Sequence, residues 1–367
     1  MFTPMKSSSL PQIHHWCPCS QLGGVEMSLL AFIQGAPEMR HTIFTADDHG
    51  AAVARWREAG AEVIVVDGWS RPLGLSWVKR WRATCLRRQI SRIIIWTPSR
   101  LALVLSALSA ETKALVHIGT AGRPDWKIRL AHRLACLLLP QRVRPVLVAC
   151  SATVRQGLGA HACWSAYANT HIPNAIQPAY LLTPAARPAP RGGPWGMVAR
   201  LDTLKDHAAL LRAVPLIVRR HPEFRLTLVG DGLLRPELEA LIRELGIGDQ
   251  VRLAGTITRP WELMSGWGGA VFSTGPQEGF GIAAAEAMAM GLPCVFTDLP
   301  VMREVGGDTV LYARPGSPEF LAEQIGALIA DAALAARLGQ AAALRARECF
   351  SPQAFAAAYL RAFELSA

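Results

Sequence analysis

Short runs of β-branched and aliphatic residues at 41–45, 62–66, 92–96, 114–118 and 146–150 are each followed by apolar positions at helical spacing. That alternation predicts a parallel sheet with helices on its faces. The pattern breaks at 178–193, a stretch rich in proline, alanine and glycine that reads as a linker. Beyond it the alternation restarts, with strands predicted at 195–199, 225–229, 250–253, 270–273, 294–297 and 309–312, and helices opening at Leu204, Leu234, Pro260, Gly281 and Pro300. Three alanine-rich amphipathic helices, 318–329, 332–348 and 352–363, close the chain. The expected class is α/β, with two doubly wound, Rossmann-like domains separated by a cleft. They span 1–177 and 194–350, and 351–367 forms a last helix.

A length of 367 residues supports two cores of ordinary size. The longest apolar stretches, 101–110 and 134–140, fall short of the roughly 18–20 residues that cross a bilayer. The first ten residues do not read as a secretory signal, so a cytoplasmic location is expected. Eight cysteines (17, 19, 85, 136, 150, 163, 294 and 349) form no C-x-x-C pair and are expected to be reduced thiols. Cys17 and Cys19, behind His14 and His15, lack a second ligand pair at metal-site spacing and read as a loop after the first strand.

Charge changes the picture more. The net charge of +10 is confined to one half: residues 1–178 carry 20 Lys and Arg against 9 Asp and Glu, whereas 179–367 carry 18 against 19. An anionic partner for the first half follows, such as a membrane surface or a polyprenyl diphosphate, with nucleic acid not expected. Two stretches concentrate this charge around tryptophan. Residues 73–92 hold Trp77, Lys79, Arg80, Trp81, Arg82, Arg87, Arg88 and Arg92, and residues 123–144 hold Trp126, Lys127, Arg129, Arg133, Arg142 and Arg144. Such helices either lie on a membrane interface or turn their tryptophans into the core and leave the cations in water.

Candidate chemistry gathers in the second half. Glu278 stands in a loop, and Gly279-Phe280-Gly281 leads from it into a helix that carries Glu286. A helix start offers free N–H groups to phosphate, and two acids offer acceptors to sugar hydroxyls. Met197-Val198-Ala199-Arg200-Leu201 ends a strand in a cation, and Lys205 follows at the next helix start, where the dipole favours an anion beside it. Val229-Gly230-Asp231-Gly232 has Arg235 where a dinucleotide fingerprint needs its third glycine, so nicotinamide binding is unsupported.

The string from Glu278 through Glu286-Ala287-Met288-Ala289-Met290-Gly291-Leu292-Pro293 resembles the E-x7-E signature of retaining glycosyltransferases of family four, the group 1 glycosyl transferases of GT-B fold. The resemblance extends over the C-terminal half and more loosely over the N-terminal half. There, Gly23-Gly24-Val25-Glu26, His117, Ser151 and Ile172-Pro173-Asn174 match family segments in order, with Ala175 and Gln177 replacing a family Gly and Asp. It implies donor binding by Gly23, Gly24, Arg200, Lys205, Gly230, Glu278, Gly279, Phe280, Gly281 and Glu286, with Arg200 and Lys205 on the diphosphate, Glu278 on the hexose and Glu286 on the ribose. His117, Arg200, Lys205 and Glu278 become the catalytic set. Ser151 and Asn174 fall on the acceptor side, and the last helix crosses back to the first domain.

The expected activity is metal-independent, retaining transfer of a hexose from UDP- or GDP-hexose to a hydroxyl of a lipid-linked glycan in polysaccharide or glycolipid assembly. It takes place at the inner membrane face and needs no cofactor. A nucleotide-sugar 2-epimerase of the same architecture and a non-catalytic basic membrane-binding scaffold are the alternatives.

Overall fold

The computed structural model describes residues 10–365 apart from 22, 67, 69–74, 100, 107, 110, 121–144, 160–163, 165–166 and 183–191. The basic stretch 123–144 and most of the expected linker therefore lie outside the described residues. The chain divides into two compact units: Met1–Cys150, Val154–Ile172 and Pro352–Ala367 form one, and Ser151–Thr153 with Pro173–Ser351 the other.

The first unit is a seven-stranded, wholly parallel sheet of β1 (Gln12–Trp16), β2 (Arg40–Thr45), β3 (Glu62–Val65), β4 (Arg92–Ile95), β5 (Lys113–Ile118), β6 (Val146–Ala149) and β7 (Asn169–His171). Its spatial order is β3-β2-β1-β4-β5-β6-β7, with the direction of winding reversing between β1 and β4. The inner strands are buried on both faces, so they read as continuous apolar runs such as Leu-Val at 115–116 rather than as alternation.

β1 carries two histidines where such a run predicts aliphatic residues, and both are buried. Hydrogen bonds compensate His15: Trp96 Nε1–H donates to His15 Nδ1 at 3.2 Å, and His15 Nε2 lies 3.1 Å from His41 Nδ1. Because His15 Nδ1 accepts, its proton sits on Nε2 and is given to His41, whose own Nε2–H meets the Ala36 carbonyl at 2.9 Å. The chain of bonds is complete only when both rings are neutral. Burial accordingly holds His15 well below the usual histidine value, with the neighbouring His41 and His14 rings acting in the same direction.

The helix Pro352–Ala362 belongs to this unit. It sets Phe355 and Tyr359 edge-on to Phe32, and the Lys113 ammonium meets the Phe363 carbonyl at 3.2 Å. The helix Leu75–Arg87 also resolves an open question. Trp77 and Trp81 are 1% and 0% exposed and pack on Trp16, while Lys79, Arg80, Arg82, Arg87 and Arg88 are exposed. These tryptophans are core residues and do not form a membrane anchor. Among the described residues no single helix is long and apolar enough to cross a membrane.

The second unit repeats the architecture with six parallel strands: β8 (Trp195–Val198), β9 (Leu226–Val229), β10 (Val251–Gly255), β11 (Gly269–Phe272), β12 (Cys294–Thr297) and β13 (Leu311–Ala313), in the order β10-β9-β8-β11-β12-β13. Local signals explain its helix starts. Proline stands in the first turn of Pro178–Leu181, Arg235–Glu244, Pro260–Met264, Pro300–Gly306 and Pro318–Ala330, where its missing N–H costs nothing. Asp206, Ser317 and Asp331 cap the helices that follow them, accepting from the N–H groups of Ala209, Phe320 and Leu334.

The boundary between units falls at Ile172/Pro173 rather than after Gln177, because residues 174–180 pack into the second unit. The Ile176 N–H donates to the Phe350 carbonyl at 2.9 Å, and the Tyr180 ring meets Trp261 edge-on at 5.5 Å.

Candidate functional site

In the second sheet the winding reverses between β8 and β11, and the crevice beyond the carboxyl ends of such strands is where open α/β sheets bind ligands. The loops leaving these two strands are stitched together there. Lys205 bridges Thr274, the Gly275 N–H donates to the Leu204 carbonyl at 3.0 Å, and Asp206 N–H reaches the Ser273 carbonyl at 3.1 Å.

This stitching places Lys205 against Glu278, and the two form an ion pair through Glu278 Oε2. Thr274 Oγ1 lies 3.1 Å from the same oxygen, and the Phe280 N–H meets Oε1 at 3.4 Å. Thr274 is itself fixed, its N–H donating to Thr297 Oγ1 at 2.9 Å. Burial raises the Glu278 carboxyl, but the Lys205 charge and the three hydrogen bonds outweigh it and hold the group below its usual range. An ammonium has three donors, so Lys205 can serve Glu278 and still offer two to an incoming anion.

Glu286 has the opposite environment. It lies inside the helix Ile282–Ala289, 6% exposed, and burial pushes its carboxyl up to about 8 despite a hydrogen bond from Tyr180. At neutral pH Glu278 is ionised and Glu286 is protonated, a division of states set by surroundings alone. Gly281, the residue before this helix, has φ +88, and a Cβ there would meet the Met302 sulfur at 3.2 Å.

The remaining expected residues are placed as follows. Arg200 is largely exposed and paired with Asp202 at 2.9 Å. Gly230 has φ +136, and a Cβ on it would come within 2.0 Å of the Ala199 carbonyl. The approach of the β8 loop is enough to require glycine at this position. The Phe280 ring is buried edge-on against Phe350 at 5.3 Å, so a donor could meet this residue only through its backbone. Asn174 is buried in the second unit, and its Oδ1 has no hydrogen-bond partner among the described residues. Ser151 is buried directly before the helix Ala152–Gly159.

In the first unit Gly23 precedes the helix Gly24–Gly35, and a Cβ on it would lie 2.6 Å from a Glu26 carboxylate oxygen. Burial raises the Glu26 carboxyl, which shares a hydrogen bond with Cys19. His117 is the penultimate residue of β5 and 1% exposed, with Nδ1 2.7 Å from the Tyr359 hydroxyl and its ring tilted on Trp96. Burial lowers it to about 4, so it is a neutral ring at physiological pH.

Thr274, Asp202 and Tyr180 belong to these constellations and have no motif to announce them. Only the position of Thr274 at the end of an apolar strand, four residues before Glu278, offers a signal.

Residues 195–345, nearly the whole of the second sheet and its helices, match the family described as Glycosyl transferases group 1. A D-inositol 3-phosphate glycosyltransferase of Streptomyces avermitilis is 34% identical over 166 residues, covering 41% of this chain and 35% of the relative. An N-acetylgalactosaminyltransferase of Campylobacter jejuni, named for a diphospho-undecaprenol substrate, is 36% identical over 112 residues, 30% of each chain. The chain thus spans only about a third of the length of these curated relatives. Over the whole chain, Anabaena Alr3699/HepE, solved with UDP-glucose, superposes with a TM-score of 0.79 at 20% identity, covering 96% of this chain and 99% of that one. Both units together have the GT-B glycosyltransferase fold.

Proposed function

We propose that this protein is a retaining, metal-independent hexosyltransferase that takes UDP- or GDP-hexose as donor and a hydroxyl of a lipid-linked glycan as acceptor. The observation that carries the proposal is the Lys205–Glu278 pair at the winding reversal of the second sheet, with the Glu286 helix opening beside it. Lys205 and Arg200 take the diphosphate. As the glycosidic bond to phosphate breaks, charge accumulates on the leaving oxygens, and fixed cations stabilise that charge more than the ground state. Glu278, ionised and held by Thr274, accepts from hexose hydroxyls, and Glu286 accepts from the ribose. His117, neutral, positions the sugar through a hydrogen bond and does not exchange a proton.

The relative named for an undecaprenol-linked substrate supports a lipid-linked acceptor, and so does the basic first half of the chain. Five exposed cations on and just after the helix Leu75–Arg87 supply a face for an anionic cytoplasmic leaflet, through charge rather than inserted tryptophan. Polysaccharide or glycolipid assembly at that surface is the role this suggests.

Isothermal titration calorimetry with UDP, GDP and ADP tests the donor site. At least one gives saturable heat in the wild type and a much weaker signal in Lys205→Ala, which also loses transfer from the matching labelled sugar nucleotide. Absence of heat from all three with folded protein refutes the proposal. Conversion of the donor sugar without any acceptor present would point to an epimerase instead.

A further inference from the structure

Tyr180 is the residue of the second unit whose placement the proposed chemistry leaves unexplained. It lies in the short helix Pro178–Leu181, 2% exposed, with its ring held edge-on to Trp261 at 5.5 Å. Its hydroxyl is spent on the Glu286 carboxyl, a group that is buried and deep within another helix. The packing fixes the ring, the ring fixes the hydroxyl, and the hydroxyl fixes one face of the acid. We propose that Tyr180 is a positioning residue for the donor site: its hydroxyl, held in place by the ring packed on Trp261, aims the Glu286 carboxyl at the ribose. This rests on the assignment of Glu286 to the ribose made above.

The electrostatic surroundings make the contribution measurable. The helix Ile282–Ala289 packs against β11, β12 and the helices Pro178–Leu181, Pro300–Gly306 and Ala332–Phe350. Among the described residues of these elements, only Tyr180 acts on the Glu286 carboxyl, and no charged group does. Burial raises the carboxyl and the Tyr180 hydroxyl lowers it, with the balance at about 8. Deleting the hydroxyl removes the lowering contribution, so the acid holds its proton to higher pH. Binding that needs the carboxylate then weakens most where the acid is protonated and recovers where it is ionised. A hydrogen bond to a charged group is worth about one pH unit or more of such a shift.

The experiment compares nucleoside diphosphate affinity of wild type and Tyr180→Phe at pH 7 and pH 9, both above the diphosphate's own titration near about 6. Phenylalanine keeps the ring against Trp261. For a displacement of about one unit from 8, affinity falls about tenfold at pH 7 but only about twofold at pH 9. In a Glu286→Gln background the same substitution loses this dependence on pH, so the double-mutant cycle closes on the Tyr180–Glu286 pair. An equal loss at both pH values, or the same pH-dependent loss in the glutamine background, would show that Tyr180 only packs. A wild type that binds no nucleoside diphosphate refutes the donor-site reading itself, and the inference with it.

Discussion

Mild acid destabilises the first unit selectively, and the magnitudes follow from which groups each unit buries. A buried histidine whose folded value lies below 6.5 leaves the unfolded chain holding more protons, so stability is complete above about 6.5 and is lost as pH falls toward the folded value. For His117, lowered to about 4, the loss between pH 7 and pH 5 is about 2 kcal/mol. Burial also lowers His14, His15 and His41, all in the same unit, and adds to that loss. Burial raises Glu26, which works the other way for one group against four.

In the second unit burial, aided by the nearby Lys205 charge, lowers His207 to about 4, and it also loses about 2 kcal/mol. Glu286 offsets this. Raised to about 8, it costs stability wherever the unfolded chain is ionised and it is not, and about 2.5 kcal/mol of that cost disappears between pH 7 and pH 5. The second unit therefore comes out close to even. Urea titrations at pH 7 and pH 5 read this through tryptophan fluorescence, since Trp16, Trp56, Trp77, Trp81 and Trp96 are all fully buried in the first unit. The transition that carries most of the fluorescence change moves to lower urea at pH 5 by at least about 2 kcal/mol. An unchanged midpoint, or earlier loss of the second unit, would mean these rings protonate within the fold and the neutral Trp96–His15–His41 chain is wrong.

Replacing Lys205 with Met leaves Glu278 buried without its cation, so kcat for transfer falls about 100- to 1000-fold, read in a steady-state assay, and the Glu278 carboxyl rises. Gly230→Ala forces a methyl into the Ala199 carbonyl from a positive-φ position, and thermal melting shows a loss of several kcal/mol from the second unit, about 3 or more. Reversing charge at Arg82 and Arg87 together abolishes sedimentation with anionic vesicles at low salt, while nucleotide affinity measured by calorimetry stays at the wild-type value.

Much of the second unit could be read in advance because its sequence obeys local rules throughout. Strands such as Gly269–Phe272 are short, wholly apolar runs, and all the described helices but Ile282–Ala289 begin on proline or on a capping Asp or Ser, so period and punctuation agree. The Glu278–Glu286 segment was legible for a related reason: its glycine turn and helix are contiguous in the chain. The Lys205–Glu278 pair was not, since 73 residues separate its partners and only the adjacency of β8 and β11 joins them. Lysine and glutamate could each be assigned to a ligand from sequence, yet their assignment to one another needed the strand order.

Histidine and tyrosine mark where sequence reading stops, for one physical reason. A polar ring is legible only if the partner that makes its burial tolerable is known, and in β1 that partner comes from Trp96 on one side and His41 on the other. Gln-Ile-His-His-Trp is a poor strand by pattern and a good one once those two neighbours are present. Tyr180 repeats the lesson in the second unit: three residues past Gln177 nothing announces it, and its meaning arises only from Trp261 behind the ring and Glu286 ahead of the hydroxyl. The consequence can be tested in the first unit. Trp96→Phe keeps an aromatic ring on Tyr359 but removes the donor to His15 together with part of the buried indole, so the His15 Nδ1 becomes a buried acceptor without a partner beside a small cavity, and urea unfolding at pH 7 shows a loss of at least about 1–3 kcal/mol. A loss below about 0.5 kcal/mol would mean that packing alone carries these histidines and the tautomers derived above do not matter to the fold.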